Sequence, residues 1–133
     1  MDAYLTGDAD RSLRAMALLA ATSVHGYLIG HRRGPRYYVE SVVPSVGSQG
    51  FSYAEVQSLD RIFDGRTIGF FVLGGSAKAW SLRAGPFACG RLALEAKRGP
   101  GSGLRFKAFA IDYERGFVLS PVPVTRSPER RKS

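Results

Sequence analysis

A continuous apolar segment constrains this chain more than any other feature. Residues 67–73 read TIGFFVL, and two glycines, Gly74 and Gly75, end the run. A strand without apolar/polar alternation is buried on both faces, which is typical of a sheet that is covered on each side. With 133 residues and 44% hydrophobic content, the chain is long enough for one such core. The segment therefore predicts a single domain built around a buried central strand.

A first helix is predicted at about Asp10–Thr22. Its apolar residues recur with the spacing i, i+3, i+4 and i+7, which places them on one helical face. Asp8 or Asp10 can accept hydrogen bonds from the unpaired N–H groups at its N-terminus. The residues that form the apolar face are Leu13, Met16, Ala17 and Ala20.

A second helix carries the clearest local signal in the chain. Ser52 and Glu55 have the spacing of a capping box, and Phe51 and Val56 have that of a hydrophobic staple. Gly65 is a candidate C-cap, because glycine readily adopts the left-handed conformation that ends many helices. The predicted apolar face consists of Val56, Leu59 and Phe63.

The remaining apolar segments predict strands. These candidates lie at Tyr27–Ile29, Arg36–Val43, Arg91–Lys97, Leu104–Tyr113 and Phe117–Val124. Their order predicts an α+β or mixed α/β domain, with a sheet flanked by helices. We place this domain at residues 1–124 and interpret residues 125–133 as a basic disordered tail.

Charge and composition limit the possible partners and compartments. The net charge is +8 and the sequence pI is about 10.2, which favours encounters with anionic molecules, including nucleic acid. No apolar stretch reaches the ~18–20 residues that span a bilayer, so we expect no membrane segment. The polar N-terminus does not resemble a secretory signal. A single cysteine excludes an internal disulfide, and we predict a cytoplasmic protein.

The sequence gives little support for several kinds of chemistry. Gly69 and Gly74 have the spacing of a phosphate-binding loop, but Gly75 stands where that loop needs lysine. The two histidines, His25 and His31, form no zinc-binding motif with the single cysteine. A satisfied structural role for His25 is the better interpretation. No catalytic group of residues is evident.

The order of segments resembles that of a JAB/MPN domain. That family opens with a helix and a strand similar to E-x-x-G-[LY]-L-[LI]-G, and its central strand reads roughly G-[WF]-[YF]-H-x-H-P. Here VHGYLIGHRRGPRYYVESVVPS resembles the first part, FSYAEVQSLDRIF the next helix, and TIGFFVLGG the apolar half of the central strand. GRLALEAKR and LRFKAFAIDY resemble later strands. The resemblance covers most of residues 10–124. It implies a single three-layer-like domain, with a curved mixed sheet flanked by two main helices and a core similar to that of cytidine deaminases.

Active members of this family are zinc peptidases and isopeptidases, often of ubiquitin-like conjugates. Two histidines and an aspartate bind the zinc, which lowers the pKa of its bound water, and a glutamate moves the proton. In this chain Val72 and Gly74 stand at the histidine positions, and Gly85 or Ala84 stands at the aspartate position. Valine and glycine cannot coordinate zinc, so the resemblance implies no zinc and no other cofactor.

The remaining family positions are also changed. Ser23 stands where the glutamate belongs, and Ser81 or Leu82 where a serine stabilises the oxyanion. His25 is offset by two residues from the glutamate position, so we expect it to point to a different place along its strand. The residues expected to line the emptied site are Ser23, Val72, Gly74, Ser76 and Ser81.

The resemblance implies a catalytically inactive domain that binds protein or acts as a scaffold. An active metallopeptidase, a ubiquitin-like protein or a second copy of the chain is the expected partner. Tyrosine and arginine are enriched at interfaces. The candidate anchors, each of which could instead be buried in the domain's own core, are Tyr37, Tyr38, Tyr53 and Trp80.

Two other functions stay open at this point. A nucleic-acid-binding module is suggested by the basic turns near Tyr37, Tyr38 and Phe106, and its binding would weaken with salt. A hydrolase using Ser76 or Ser81 would need Lys78 as its base, and that lysine would have to be strongly desolvated to lose its proton.

Overall fold

The computed structural model describes residues 1–19, 24–45, 53–74, 90–98, 104–113 and 117–126. The helices are α1 (Gly7–Leu19) and α2 (Tyr53–Ile62), and neither is long and apolar enough to cross a membrane. The predicted mixed α+β class is confirmed, with strands predominating. The strands are β1 (Asp2–Leu5), β2 (Val24–Arg33), β3 (Arg36–Pro44), β4 (Thr67–Leu73), β5 (Leu92–Arg98), β6 (Leu104–Tyr113), β7 (Phe117–Val122) and β8 (Val124–Arg126).

All of these strands belong to one sheet, in the order β7-β6-β5-β4-β2-β3-β1-β8. The pairs β1/β3, β1/β8 and β4/β5 are parallel, and the other neighbours are antiparallel. β7 and β8 lie at opposite ends of this order, although Pro123 alone separates them in the chain. The Arg126 guanidinium also donates a hydrogen bond to the Leu104 carbonyl of β6 at 2.8 Å. The sheet therefore curves until its edges approach each other, and it is nearly a barrel.

The central strand β4 is buried on both faces, as its sequence predicts. Phe71 belongs to the larger of two buried clusters, which also receives Leu13 from α1. Phe70 and Val72 belong to the smaller cluster, which also receives Val56 from α2. Alternate residues of β4 thus meet different helices, and the two helices pack on opposite faces of the sheet.

Gly69 allows β4 and β5 to approach closely. It pairs with Leu92, and a Cβ atom at position 69 would lie only 2.2 Å from the Leu92 carbonyl oxygen. A side chain is excluded here because the obstacle is the main chain of a neighbouring strand. This explains the glycine within an apolar run, and it places Gly69 inside a strand rather than in a phosphate-binding loop.

The start of α1 differs from the prediction. The helix begins at Gly7 instead of near residue 10, and residues 20–22 of the predicted helix lie outside the described part of the chain. The prediction of Asp8 or Asp10 as the N-cap is wrong. Thr6 has this role, because its Oγ1 accepts a hydrogen bond from the Ala9 N–H at 3.2 Å. Both aspartates lie within the first turn, past the capping position.

Strand β1 is an element that the sequence analysis missed. Ala3 and Leu5 are fully buried in the larger cluster, whereas Asp2 and Tyr4 lie on the other face. β1 is held by parallel neighbours on both sides, β3 and β8. Thr6 adds a further link, since its hydroxyl donates a hydrogen bond to the Glu40 carbonyl at 3.1 Å.

The second helix agrees with its prediction where it is described. Val56 is 2% exposed, and Leu59 packs beside the smaller cluster. Gly65 has a φ of 72°, and its N–H donates a hydrogen bond to the Asp60 carbonyl at 2.8 Å, so its role in ending the helix is confirmed. Phe51 and Ser52, the remaining residues of the predicted staple and capping box, lie outside the described residues.

The predicted boundary between the domain and its tail is displaced. Thr125 and Arg126 belong to β8, where they pair with Tyr4 and Leu5 of β1. These two residues are ordered by hydrogen bonding to a strand that the sequence analysis did not identify. Residues 127–133 of the predicted tail lie outside the described part of the chain.

Candidate functional site

The end of β4 carries two residues expected to line the emptied site. Val72 is 1% exposed and belongs to the smaller cluster. Gly74 follows the strand with a φ of 81°, and its N–H donates a hydrogen bond to the Ala96 carbonyl at 2.9 Å. The structure thus brings Val72 and Gly74 together, and neither offers a side-chain atom that could bind a metal. The other three expected residues, Ser23, Ser76 and Ser81, lie outside the described residues.

A row of paired residues crosses the sheet through Val72. His25 of β2 is its partner on one side and Glu95 of β5 is its partner on the other. Lys107 of β6 continues the row beyond Glu95. Directly paired residues on adjacent strands project from the same face of a sheet. His25 and Glu95 are 9% and 8% exposed, so two titratable groups are buried beside Val72.

The position of His25 is a finding that sequence reasoning missed. Its offset from the family's glutamate position predicts that it points elsewhere along the strand. The antiparallel register places it directly opposite Val72, the residue that the JAB/MPN resemblance aligns with the first histidine of that family. No local sequence signal could have identified this pair, because it depends on how two distant strands align.

The described residues at this site do not fit a zinc ion. Zinc takes three or four nitrogen, sulfur or oxygen ligands in proteins. The strand that carries Val72 separates His25 from Glu95, and the Glu95 carboxylate already lies 3.8 Å from the Lys97 ammonium. Within the described ranges, no three His, Cys, Asp or Glu side chains are grouped so that they could hold a metal ion.

A cavity of about 280 Å³ lies beside the first turns of α2. Its walls are largely apolar and include Val43, Pro44 and Leu59. The Glu55 carboxylate at its edge accepts hydrogen bonds from the Tyr27 hydroxyl at 2.6 Å and from the Ser45 hydroxyl at 3.1 Å. Glu55 therefore fixes α2 against β2 and the end of β3.

A separate surface lies on β1, β2 and β3. His31, Tyr38 and Tyr4 are paired in a row across these strands, and Arg33 and Arg36 form a pair at the hairpin end. Alternate residues of β3, such as Tyr37, point to the opposite face and belong to the larger cluster. We refer to His31, Tyr38, Tyr4, Arg33 and Arg36 together as the tyrosine–arginine face.

The rings of this face are held by one another and by arginines. The His31 ring stacks on Tyr38 with centroids 5.0 Å apart and planes inclined by 17°. The centroids of the Tyr4 and Tyr38 rings lie 5.6 Å apart, and the ring planes are inclined by 55°. The Arg33 and Arg36 guanidinium carbons lie 5.7 and 5.8 Å from the centre of the Tyr38 ring. These are cation–π distances, so the positive groups are held in fixed positions around the aromatic ring.

Two carboxylates are paired with cations around the same face. Arg36 donates three hydrogen bonds to the Asp2 carboxylate, two from Nε at 2.9 and 3.1 Å and one from Nη2 at 2.8 Å. These bonds lower the Asp2 pKa and raise the Arg36 pKa. Glu40 lies 3.3 Å from the His31 ring nitrogen and also pairs with Arg66. Burial alone would raise the Glu40 pKa, but the hydrogen bonds and positive charges of these two partners give a net lowering.

The tyrosines and the phenylalanine considered for binding have different surroundings. Tyr37 is 2% exposed, and burial raises its pKa, so the prediction of Tyr37 as an interface anchor is wrong. Phe106 packs against the larger cluster beneath the Arg126 guanidinium, 4.5 Å from its carbon. Tyr38 is partly exposed and Tyr53 is 56% exposed, whereas Trp80 lies outside the described residues.

Comparisons with known proteins are informative about the fold alone. No protein-family model matches the chain, and no curated protein sequence matches it. The solution structure of protein DSY2949 from Desulfitobacterium hafniense, a Northeast Structural Genomics Consortium target, is similar with a TM-score of 0.64. The alignment covers 96% of this chain and 95% of that protein, at 21% sequence identity. The similarity therefore extends over the whole domain and concerns its architecture.

Proposed function

We propose that this chain is a JAB/MPN-like domain without the family's metal site, and that it works by binding protein. Its three-layer arrangement, with α1 and α2 on opposite faces of the curved sheet, is part of this proposal. The partner class is an active metallopeptidase, a ubiquitin-like protein or a second copy of the chain. We place this activity in the cytoplasm, as the single cysteine favours.

The observation that carries the proposal is the packing of Val72. At the position of the first family histidine, a valine contributes to an apolar cluster and is 1% exposed. The replacement is thus integrated into the hydrophobic core that holds α2 to the sheet. A histidine at this position would place a polar ring in that cluster, where an unsatisfied polar group is costly.

The arrangement around Gly74 supports the same proposal. Its main-chain N–H bonds to Ala96, and the residue lies in the left-handed region that favours glycine. The position of the second family histidine therefore connects β4 to β5. Both positions have structural roles in this protein, as expected for a domain that keeps its fold without a metal.

Metal analysis tests the metal-free part of this proposal. The full chain is produced in zinc-supplemented medium, purified without chelator and analysed by inductively coupled plasma mass spectrometry. We expect far less than one zinc per chain. His25→Ala is the matched variant, since the His25 imidazole is the described nitrogen-bearing side chain paired with Val72. Stoichiometric zinc in the wild type that is lost in this variant would overturn the proposal.

Association is tested on the same preparation. Sedimentation analysis at several concentrations detects a second copy of the chain. Affinity purification from the native source, followed by mass spectrometry, detects a metallopeptidase or a ubiquitin-like protein. Recovery of a monomer with neither class of partner would argue against the binding role.

A further inference from the structure

The tyrosine–arginine face is uncovered within the described part of the chain. It lies opposite the larger cluster, into which α1 packs through Leu13, and α2 packs over the smaller cluster around Tyr27 and Val72. Tyr4 and Tyr38 are partly exposed, and Arg33 is exposed. A row of aromatic rings with arginines at one end is therefore presented to solvent on a rigid sheet.

Charge distinguishes this surface from an ordinary aromatic patch. Three guanidinium groups lie on it or at its margin, those of Arg33, Arg36 and Arg66. Arg32 lies over the Tyr37 ring on the opposite face. Asp2 and Glu40 are the two described carboxylates among them. Three positive and two negative groups leave a net charge of +1, with His31 counted as neutral. The surface thus attracts an anionic partner.

We propose that the tyrosine–arginine face binds an acidic, extended segment of a partner protein. This inference rests on the proposed function, which states that the domain binds protein, and it adds the surface and the chemistry of the partner. Carboxylates of the segment would bind the guanidinium groups, and its apolar side chains would lie against the outward edges of the rings. Tyrosine and arginine are the residues that most often dominate protein interfaces.

The ring geometry favours a protein segment over single-stranded nucleic acid. Bases bind such surfaces by stacking on free aromatic faces. The Tyr38 ring is already stacked by His31 and approached by two arginines, so a base would have to displace them. A carboxylate needs only the outward N–H groups of the arginines and the phenol hydroxyls. Because the rings are already fixed, little side-chain entropy is lost on binding.

Fluorescence anisotropy on the full chain tests this assignment. The probe is a labelled peptide in which aspartate and glutamate alternate with small apolar residues. The controls are the same peptide with lysine at the acidic positions, and single-stranded oligothymidylate. Measurements are made at about 25 mM and about 200 mM salt, because screening shortens the range of charge interactions to ~10 Å near 0.1 M. We expect the acidic peptide to bind most tightly and to weaken with salt.

Arg33→Glu is the test variant and Arg105→Glu is its matched control. Arg105 is an exposed arginine on β6, a strand that pairs with none of the strands β1, β2 and β3 that carry the face. Both variants change the net charge equally. We expect Arg33→Glu to weaken peptide binding by about tenfold and Arg105→Glu to change it by less than about twofold. If circular dichroism shows that Arg33→Glu is misfolded, Arg33→Gln is used in its place. We expect Arg33→Gln to lose less peptide affinity than Arg33→Glu.

Three results of the anisotropy measurements would overturn the assignment. The first is absence of peptide binding at low salt, and the second is an equal loss in both charge-reversal variants. The third is tighter binding of oligothymidylate that depends on Arg33, which would identify a nucleic-acid surface instead. If the wild type and Arg33→Glu retain a protein partner equally, this face is not the binding site for that partner, and the proposed function still holds. Stoichiometric zinc would contradict the proposed function as a metal-free domain, whereas the peptide-binding result would be unaffected.

Discussion

Gly69→Ala should destabilise the domain strongly, because the added methyl group meets main-chain atoms. An ideal Cβ at this position lies 2.2 Å from the carbonyl oxygen of Leu92, 2.9 Å from its carbonyl carbon and 3.0 Å from its Cβ. The first distance is about 1 Å shorter than an ordinary van der Waals contact. None of the three atoms can rotate away, so β4 and β5 must separate.

The magnitude follows from the position of this contact. Overpacking a core costs about 1–3 kcal/mol and occasionally more. Gly69 is the first of five paired positions between β4 and β5, and β4 is the strand on which both clusters meet. We therefore expect a loss of about 3 kcal/mol, at the upper end of that range. For 133 residues, an unfolding entropy of ~2.1 cal/mol/K per residue converts this to a fall in Tm of about 10 °C.

Thermal and urea unfolding followed by circular dichroism measure this loss. Gly7→Ala is the matched control, because it makes the same chemical change at the start of α1. There the nearest atom to a new Cβ is Nη1 of the flexible Arg11 side chain, at 3.2 Å. We expect that variant to be as stable as the wild type or slightly more stable. If Gly69→Ala unfolded at the wild-type temperature, the close approach of β4 and β5 would be refuted.

Three further predictions follow from individual contacts. Thr6→Ala should lower the unfolding free energy by about 1 kcal/mol, since the Ala9 N–H loses its acceptor. Thr6→Ser keeps a hydroxyl and should retain most of the stability that the cap provides. Gly65→Ala should cost about 1–2 kcal/mol in the same urea titration, because its φ of 72° is strained for alanine. The Asp2 pKa is lowered on folding by Arg36. This pair therefore stabilises above the unfolded pKa of about 3.9 and is lost as pH falls through the folded value. Unfolding at a series of pH values should show that Asp2→Asn removes part of the acid dependence below about pH 4; an unchanged dependence would contradict this linkage.

The elements that could be predicted from sequence are those whose signals are local. The apolar run of β4 indicated burial on both faces because no polar residue alternates within it. Val56 was placed on the buried face of α2 by helical spacing, and Gly65 was placed at its end by backbone preference. Each of these inferences depends on a few consecutive residues and on their own conformational physics. The tertiary structure leaves them unchanged.

The elements that escaped prediction depend on contacts between distant segments. β1 has four residues and β8 has three, and each is stabilised by pairing with strands far away in sequence. The row that joins His25, Val72 and Glu95 likewise requires the register of three strands. A shift of one residue would turn each side chain to the other face. Sequence periodicity indicates which residues of one strand share a face, but it does not indicate which residue of a distant strand lies opposite each of them.

The register of β2 also separates the two surfaces considered for function. β2 pairs with β4 only from Val24 to Ile29, whereas its pairing with β3 continues to Arg33. The β2–β3 hairpin therefore extends beyond the first residue of β4. The tyrosine–arginine face lies on this extension and on β1. Val72 lies in the part where β2 and β4 are paired, so substitutions there disturb the core. Arg33 is exposed beyond that part, so its substitution should alter binding while the unfolding free energy stays nearly unchanged.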